Sequence, residues 1–166
     1  MKNVLLMLLV CMLAISCKNV ANYPITNPKD GVKDDRIIGR WKFEEDTNTN
    51  NFYELYTAHK DYPNQYHIRF WNRGGTNPTY ESNLHFSDVN GVRFINVPYF
   101  ERELPLQYGF LKILESNNDF TKFTAAVVGD EKMEQIKSQE KLKAHIIKNI
   151  NNPKFYSDTV HFYKIQ

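Results

Sequence analysis

Ile37-Ile38-Gly39-Arg40-Trp41-Lys42-Phe43-Glu44-Glu45 is the stretch whose reading decides the fold. Gly39, Trp41 and Phe43 fall on one side of an extended chain; Arg40, Lys42 and Glu44 fall on the other. Successive strand side chains point to opposite faces, so this alternation predicts a half-buried β-strand. A strand with one apolar face needs partners, and the rest of the chain supplies them.

Residues 46–51 form an Asn/Thr turn. Residues 52–59 read as a second strand and 66–71 as a third, with Tyr66, Ile68 and Phe70 sharing a face. Residues 72–78, with Gly74, Gly75 and Pro78, are the most loop-like segment of the domain. Residues 81–86 and 92–97 flank Asn90-Gly91, a dipeptide that readily takes the positive φ values of a tight hairpin. Residues 98–105 connect onward, and Tyr99 and Phe100 are expected to cap the barrel. Residues 108–115 and 120–128 form another hairpin, in which Gly109 would permit a bulge or bend.

The period then changes. Residues 130–136 predict a short helical turn, and Ser138 caps a longer helix ending at Asn149 or Ile150. Its apolar face carries Leu142, Ile146, Ile147 and Ile150, and Lys141, Lys143 and Lys148 point largely outward. Asn151-Asn152-Pro153 stops it, and residues 156–165 are the last strand. The fold class is therefore mainly β: an antiparallel up-and-down β-barrel of about eight strands, closed so that no edge is left. One amphipathic helix in the C-terminal half precedes the last strand and is expected to cover an end or side of the barrel.

Gly39-x-Trp41 at the first strand of a β-rich domain spanning residues 37–166 resembles the signature of the lipocalins. In that family the Trp closes one end of a β-barrel, and a late Arg stacks on it. The resemblance covers residues 37–43 and the general strand pattern. The family's Thr-Asp-Tyr motif is missing, and Lys164 is the residue available for the part of the late Arg. The resemblance implies a small apolar ligand inside the barrel, with Trp41, Phe43, Tyr66, Ile68 and Phe70 as candidate lining residues. An eight-stranded barrel is at the size where side chains either fill the interior or leave room for one ligand. A filled barrel serving as an interaction, inhibitor or assembly module of the cell envelope is the alternative.

The N-terminus predicts where such a barrel works. Met1-Lys2-Asn3 is a short charged start, followed by twelve apolar residues, 4–15. That is the layout of a secretory signal. At ~1.5 Å per residue the run makes roughly 18 Å of helix, short of the ~30 Å hydrocarbon core. A buried N-terminal helix is the other reading, but the run is apolar on all faces and polar Lys18-Asn19 follow at once.

Leu13-Ala14-Ile15-Ser16-Cys17 resembles the lipobox of bacterial lipoproteins, with its Leu one position earlier than the family prefers. A general secretory cut would use Ala14 and Ser16 instead. It would leave Cys17 as a lone thiol in an exported chain, because Cys11 lies within the signal. The lipobox resemblance implies removal of residues 1–16, a diacylglyceryl thioether on Cys17, and often an amide-linked acyl chain such as palmitate. Residues 17–36, broken by Pro24, Pro28 and Gly31, then read as a flexible tether. By similarity to Gram-negative, Bacteroidota-type lipoproteins, the chain is expected at the outer membrane. No Asp follows Cys17 to retain it at the inner membrane, and no acidic run directs it to the cell surface, so the periplasmic face is expected.

Composition narrows the function classes. The chain has 21 basic and 19 acidic residues, and the signal removes Lys2, leaving +1. So even a balance argues against nucleic acid as a partner. The expected partners are the membrane, through the N-terminal lipid, and a small hydrophobic ligand or an envelope protein. The 11 Phe, 10 Tyr and 2 Trp suit strands and an aromatic-lined cavity.

No Gly-x-Ser-x-Gly, phosphate loop or thiol nucleophile is present. His59, His67, His85, His145 and His161 match no metal-binding spacing, although adjacent strands could bring His67 near His85. Glu44-Glu45-Asp46, Asp34-Asp35 and the pair Glu101 and Glu103 read as solvated charge. No enzyme activity, cofactor or metal is expected. Asp158-Thr159-Val160 resembles the short O-glycosylation acceptor of Bacteroidota.

Overall fold

Eight strands follow one another in chain order: β1 Gly39–Phe43, β2 Phe52–Thr57, β3 Tyr66–Trp71, β4 Tyr80–Val89, β5 Val92–Tyr99, β6 Gln107–Ser116, β7 Lys122–Val128 and β8 Tyr156–Ile165. Each pairs antiparallel with the next, and β8 returns to β1 through Trp41↔Lys164 and Phe43↔Phe162. The result is the closed up-and-down barrel expected from the strand pattern. These details come from a computed structural model, which describes residues 19–44, 51–58, 61–72, 75–99 and 106–165. Cys17, the signal, His59, Phe100, Glu101 and Glu103 lie outside the described residues.

Alternation sorts the side chains into two cores. The inward set surrounds Trp41, Leu55, Tyr66, Ile68, Leu84, Phe86, Ile95 and Phe123. The second core lies outside the wall of β5, β6 and β7. There Phe94, Tyr108, Phe110 and Val128 meet α1 (Gln139–Asn149) through Leu142 and Ile146, both fully buried. The helix thus covers a side of the barrel. Ser138 caps it, its hydroxyl accepting from the Lys141 amide at 3.3 Å.

Two strands run longer than their sequence pattern suggested. Asn90 and Gly91 take φ values of 51° and 77°, so β4 and β5 pair right up to the two-residue turn. At its other end β5 continues through Pro98 to Tyr99, which is 45% exposed and does not cap the barrel. Gly109 makes neither bulge nor bend: it pairs regularly with Val97, and the irregularity in β6 falls between Ile113 and Glu115.

The described part of the expected tether, residues 19–36, is not a free spacer. It straps across the outside of the barrel. Ala21 exchanges backbone hydrogen bonds with Tyr108 at 2.9 and 2.8 Å, and the Val32 amide donates to the Phe86 carbonyl at 3.0 Å. Ile25, fully buried, gives its amide to Asn96 Oδ1 at 2.8 Å. The strap occupies backbone positions that the barrel strands leave unpaired, such as Tyr108 beyond the end of β7. Satisfying those groups and burying Ala21 and Ile25 outweighs the freedom of a polar linker.

Candidate functional site

Trp41 and its neighbours close one end of the barrel. Two residues after the strap's last 3₁₀ turn, Asp35–Ile37, β1 begins with Gly39. Trp41 Nε1 donates to the Ile37 carbonyl at 2.7 Å, and its ring meets Phe123 and Phe120 edge-on at 5.1 and 6.2 Å. Lys164 lies over the same ring. Tyr66 completes this floor: its hydroxyl accepts from the Asp34 amide at 2.6 Å and donates to Asp35. Burial pushes the Tyr66 phenol up to about 12, so it stays protonated and can keep donating.

Above the floor the interior is hollow. A cavity of about 290 Å³ is lined by Trp41, Phe43, Tyr53, Leu55, Ile68, Leu84, Ile95, Val97, Leu111, Phe123, Val127 and Phe162. Gly109 and Asn19 also border it. The wall holds no charged side chain among the described residues. A Cβ added at Gly109 would meet nothing within 4 Å, so this glycine contributes empty space to the cavity.

Three of the five lining candidates from the sequence, Trp41, Phe43 and Ile68, are in this wall. Tyr66 belongs to the floor instead, because its hydroxyl is committed to the strap. Phe70 points the same way but packs on Tyr53, with ring centroids 4.8 Å apart. The inward residues of β2, β4, β5, β6 and β8 went unnamed at the sequence level. The same period of two would have found them once those strands were taken as barrel staves.

Among the described polar candidates, His67, His85 and Asp34 are each held by other groups of the fold. Register sets His67 opposite Asn83 rather than His85, and its ring nitrogens face Asn83 Oδ1 at 2.8 Å and Glu81 Oε2 at 3.2 Å. His85 is 1% exposed and donates from Nε2 to the Thr26 carbonyl at 3.0 Å. No group of three metal-ligating side chains occurs among the described residues. Asp34 is not solvated charge: Arg36 and Arg93 reach its Oδ2 at 2.7 and 2.8 Å, and hydrogen bonding from Arg36 lowers its pKa.

A larger recess, about 520 Å³, is an open trough on the outer face of β7 and β8. There Thr124 Oγ1 lies 3.1 Å from both Glu115 Oε1 and His161 Nδ1, so the three polar groups satisfy one another. Thr159 of the Asp158-Thr159-Val160 sequence is exposed on β8.

The chain matches no protein-family model, no curated protein and no solved structure.

Proposed function

We propose that this chain is a lipid-anchored lipoprotein of a Gram-negative envelope, held at the outer membrane through Cys17, whose lipocalin-like barrel binds one small apolar ligand. The observation that carries the ligand is the interior cavity of about 290 Å³, closed at one end by Trp41 and walled by apolar side chains. Ligand sites are typically concave, largely preformed and mostly apolar. The observation that supports the anchor is the run ending in Leu13-Ala14-Ile15-Ser16-Cys17.

Native mass spectrometry of the protein purified gently from its own host tests both parts. The expected spectrum shows acyl mass on the N-terminal peptide and a further mass that leaves on denaturation. A bare barrel, in protein that still carries its lipid, would shift the weight to an interaction module.

A further inference from the structure

We propose that the barrel rests with its mouth against the bilayer and takes a single acyl chain directly from the leaflet that holds its own anchor. This rests on the lipid-anchored, apolar-ligand reading above and adds an orientation, a ligand class and a source.

The strap supplies the first reason. A free tether of residues 17–36 would let the barrel wander by roughly 25 Å, taking about 5–6 Å times the square root of its length. Ala21 is instead bonded in both directions to Tyr108, near the start of β6, and the Asn22 side chain donates from Nδ2 to the Glu134 carbonyl at 2.8 Å. The pairing of β6 with β7 begins only at Leu111↔Val127, so β6 is open beside Tyr108 and the strap enters there. Asn19 borders the cavity together with Gly109, Phe110 and Val127, the residues around this parting. Cys17 is two residues away, at most about 7 Å in a fully extended chain. Only two residues of chain therefore separate Cys17 from Asn19 at the cavity border, where a free tether of residues 17–36 would put the whole segment between lipid and barrel.

The rim supplies the second. Tyr99 ends β5 and Leu106 precedes β6, and they are 45% and 40% exposed at the mouth. On the outer wall, one residue from the neighbouring mouth loops, Phe52 and Trp71 stack with ring centroids 6.0 Å apart. Tyr favours the bilayer interface, where its apolar ring and polar tip are both accommodated, and Trp71, whose Nε1 is buried, adds apolar ring surface at the same end.

The cavity chooses the ligand. At roughly 30 Å³ per water-sized group, its volume takes on the order of ten methylenes. One acyl chain fits in part; two do not. The wall has no charged side chain to receive a headgroup, so a polar end stays at the mouth, in the interfacial layer. A chain sliding from leaflet to cavity at this contact never exposes its methylenes to bulk water.

Trp41 sits inside the barrel at the floor and Trp71 on the outer wall one residue from a mouth loop, so the two tryptophans of the chain report the orientation. The lipidated protein is placed in vesicles of phosphatidylcholine and phosphatidylglycerol containing a lipid with a nitroxide near its headgroup. Trp71→Phe reports buried Trp41 alone, and its difference from the wild type reports Trp71. The expected result is several-fold stronger quenching of Trp71 than of Trp41. A nitroxide-labelled fatty acid preloaded into the vesicles should then quench Trp41. Twenty Gly/Ser residues inserted after Lys18 should reduce the Trp71 quenching and slow the second signal.

Equal shielding of the two tryptophans, or undiminished transfer by the long-linker chain, overturns the proposal. So does a labelled fatty acid that enters Cys17→Ser but not the lipidated chain, because the anchor's own acyl chain would then fill the cavity. Intact mass separates these results from failure of the underlying reading: a chain without acyl mass ends the anchor, and with it the proposal. Fatty-acid binding by Cys17→Ser in solution preserves the ligand reading whichever way the barrel faces.

Discussion

Lys164 Nζ stands 5.3 Å from the ring centre of Trp41 and donates a 2.9 Å hydrogen bond to the Arg36 carbonyl. One cation thereby covers the tryptophan that floors the barrel and ties the strap to the last strand. Gly39 makes room for it. Its φ is 138°, and a Cβ there would lie 2.9 Å from Lys164 Cε. The glycine and the tryptophan of Gly39-x-Trp41 are thus two parts of one arrangement: the first clears the path of the lysine, and the second receives it.

Lys164→Ala should cost about 1–2 kcal/mol, the sum of a partly desolvated cation–π contact and a hydrogen bond. Gly39→Ala should cost about 1–3 kcal/mol through its backbone conformation. Urea denaturation followed by Trp41 fluorescence measures both. An unchanged midpoint for Lys164→Ala would show that the contact contributes nothing.

Gly109→Leu should project into the cavity, since no atom lies within 4 Å of the added Cβ and Gly109 borders about 290 Å³ of open space. Stability should hold or rise, because Gly is unfavourable in a strand by about 0.5–1 kcal/mol. Binding of a fluorescent polyene fatty acid should fall by tenfold or more. Retained binding in a folded Gly109→Leu protein would place the ligand somewhere other than this cavity.

Asn96 is completely buried and pins the strap. Its Oδ1 accepts from the Ile25 amide, and its Nδ2 donates to Ser87 Oγ at 2.8 Å and to the His85 carbonyl at 3.2 Å. Asn96→Ala leaves the buried Ile25 amide without its partner, a cost of about 1–3 kcal/mol, while Ser87 Oγ keeps its 2.6 Å contact with Thr26 Oγ1. Hydrogen exchange gives the specific signature: the Ile25 amide should lose protection before the barrel strands do. If it exchanges no faster than in the wild type, the strap is held by something else.

Acid should loosen the same strap. Burial lowers the pKa of His85 below its ordinary 6.5, and this desolvation outweighs the raising effect of its bond to Thr26. The unfolded chain therefore binds the proton first. His85's contribution is complete above about pH 6.5 and is lost as pH falls towards the folded pKa. Asp34, whose pKa is also lowered, adds a second loss below its ordinary 3.8 as pH falls through its folded value. Melting temperature against pH should decline from about 6.5 downward. In His85→Gln the first decline should disappear; its persistence there would assign the effect to another group.

The eight strands and the helix were legible because their signals are local. Arg40-Trp41-Lys42-Phe43 alternates whatever surrounds it, Asn90-Gly91 carries its turn in its own backbone preference, and Ser138 stands one helical turn before the Leu142 face. The strap was not legible. Ala21 and Ile25 are isolated apolar residues among prolines and polar side chains, with no period to mark them. The group that holds the Ile25 amide, Asn96, lies 71 residues further on.

By itself, then, the sequence determined a closed barrel of eight antiparallel staves with one covering helix, because strand alternation and helix periodicity are written in adjacent residues. It also determined that Trp41, Phe43 and Ile68 face inward. Only the tertiary structure decided that Tyr66 serves the floor, that residues 19–36 bind the wall, and that Gly109 opens space inside. Those outcomes depend on which groups distant strands leave unpaired. The hollow depends on the volume left after every inward side chain has packed, a difference between large quantities that no local pattern encodes.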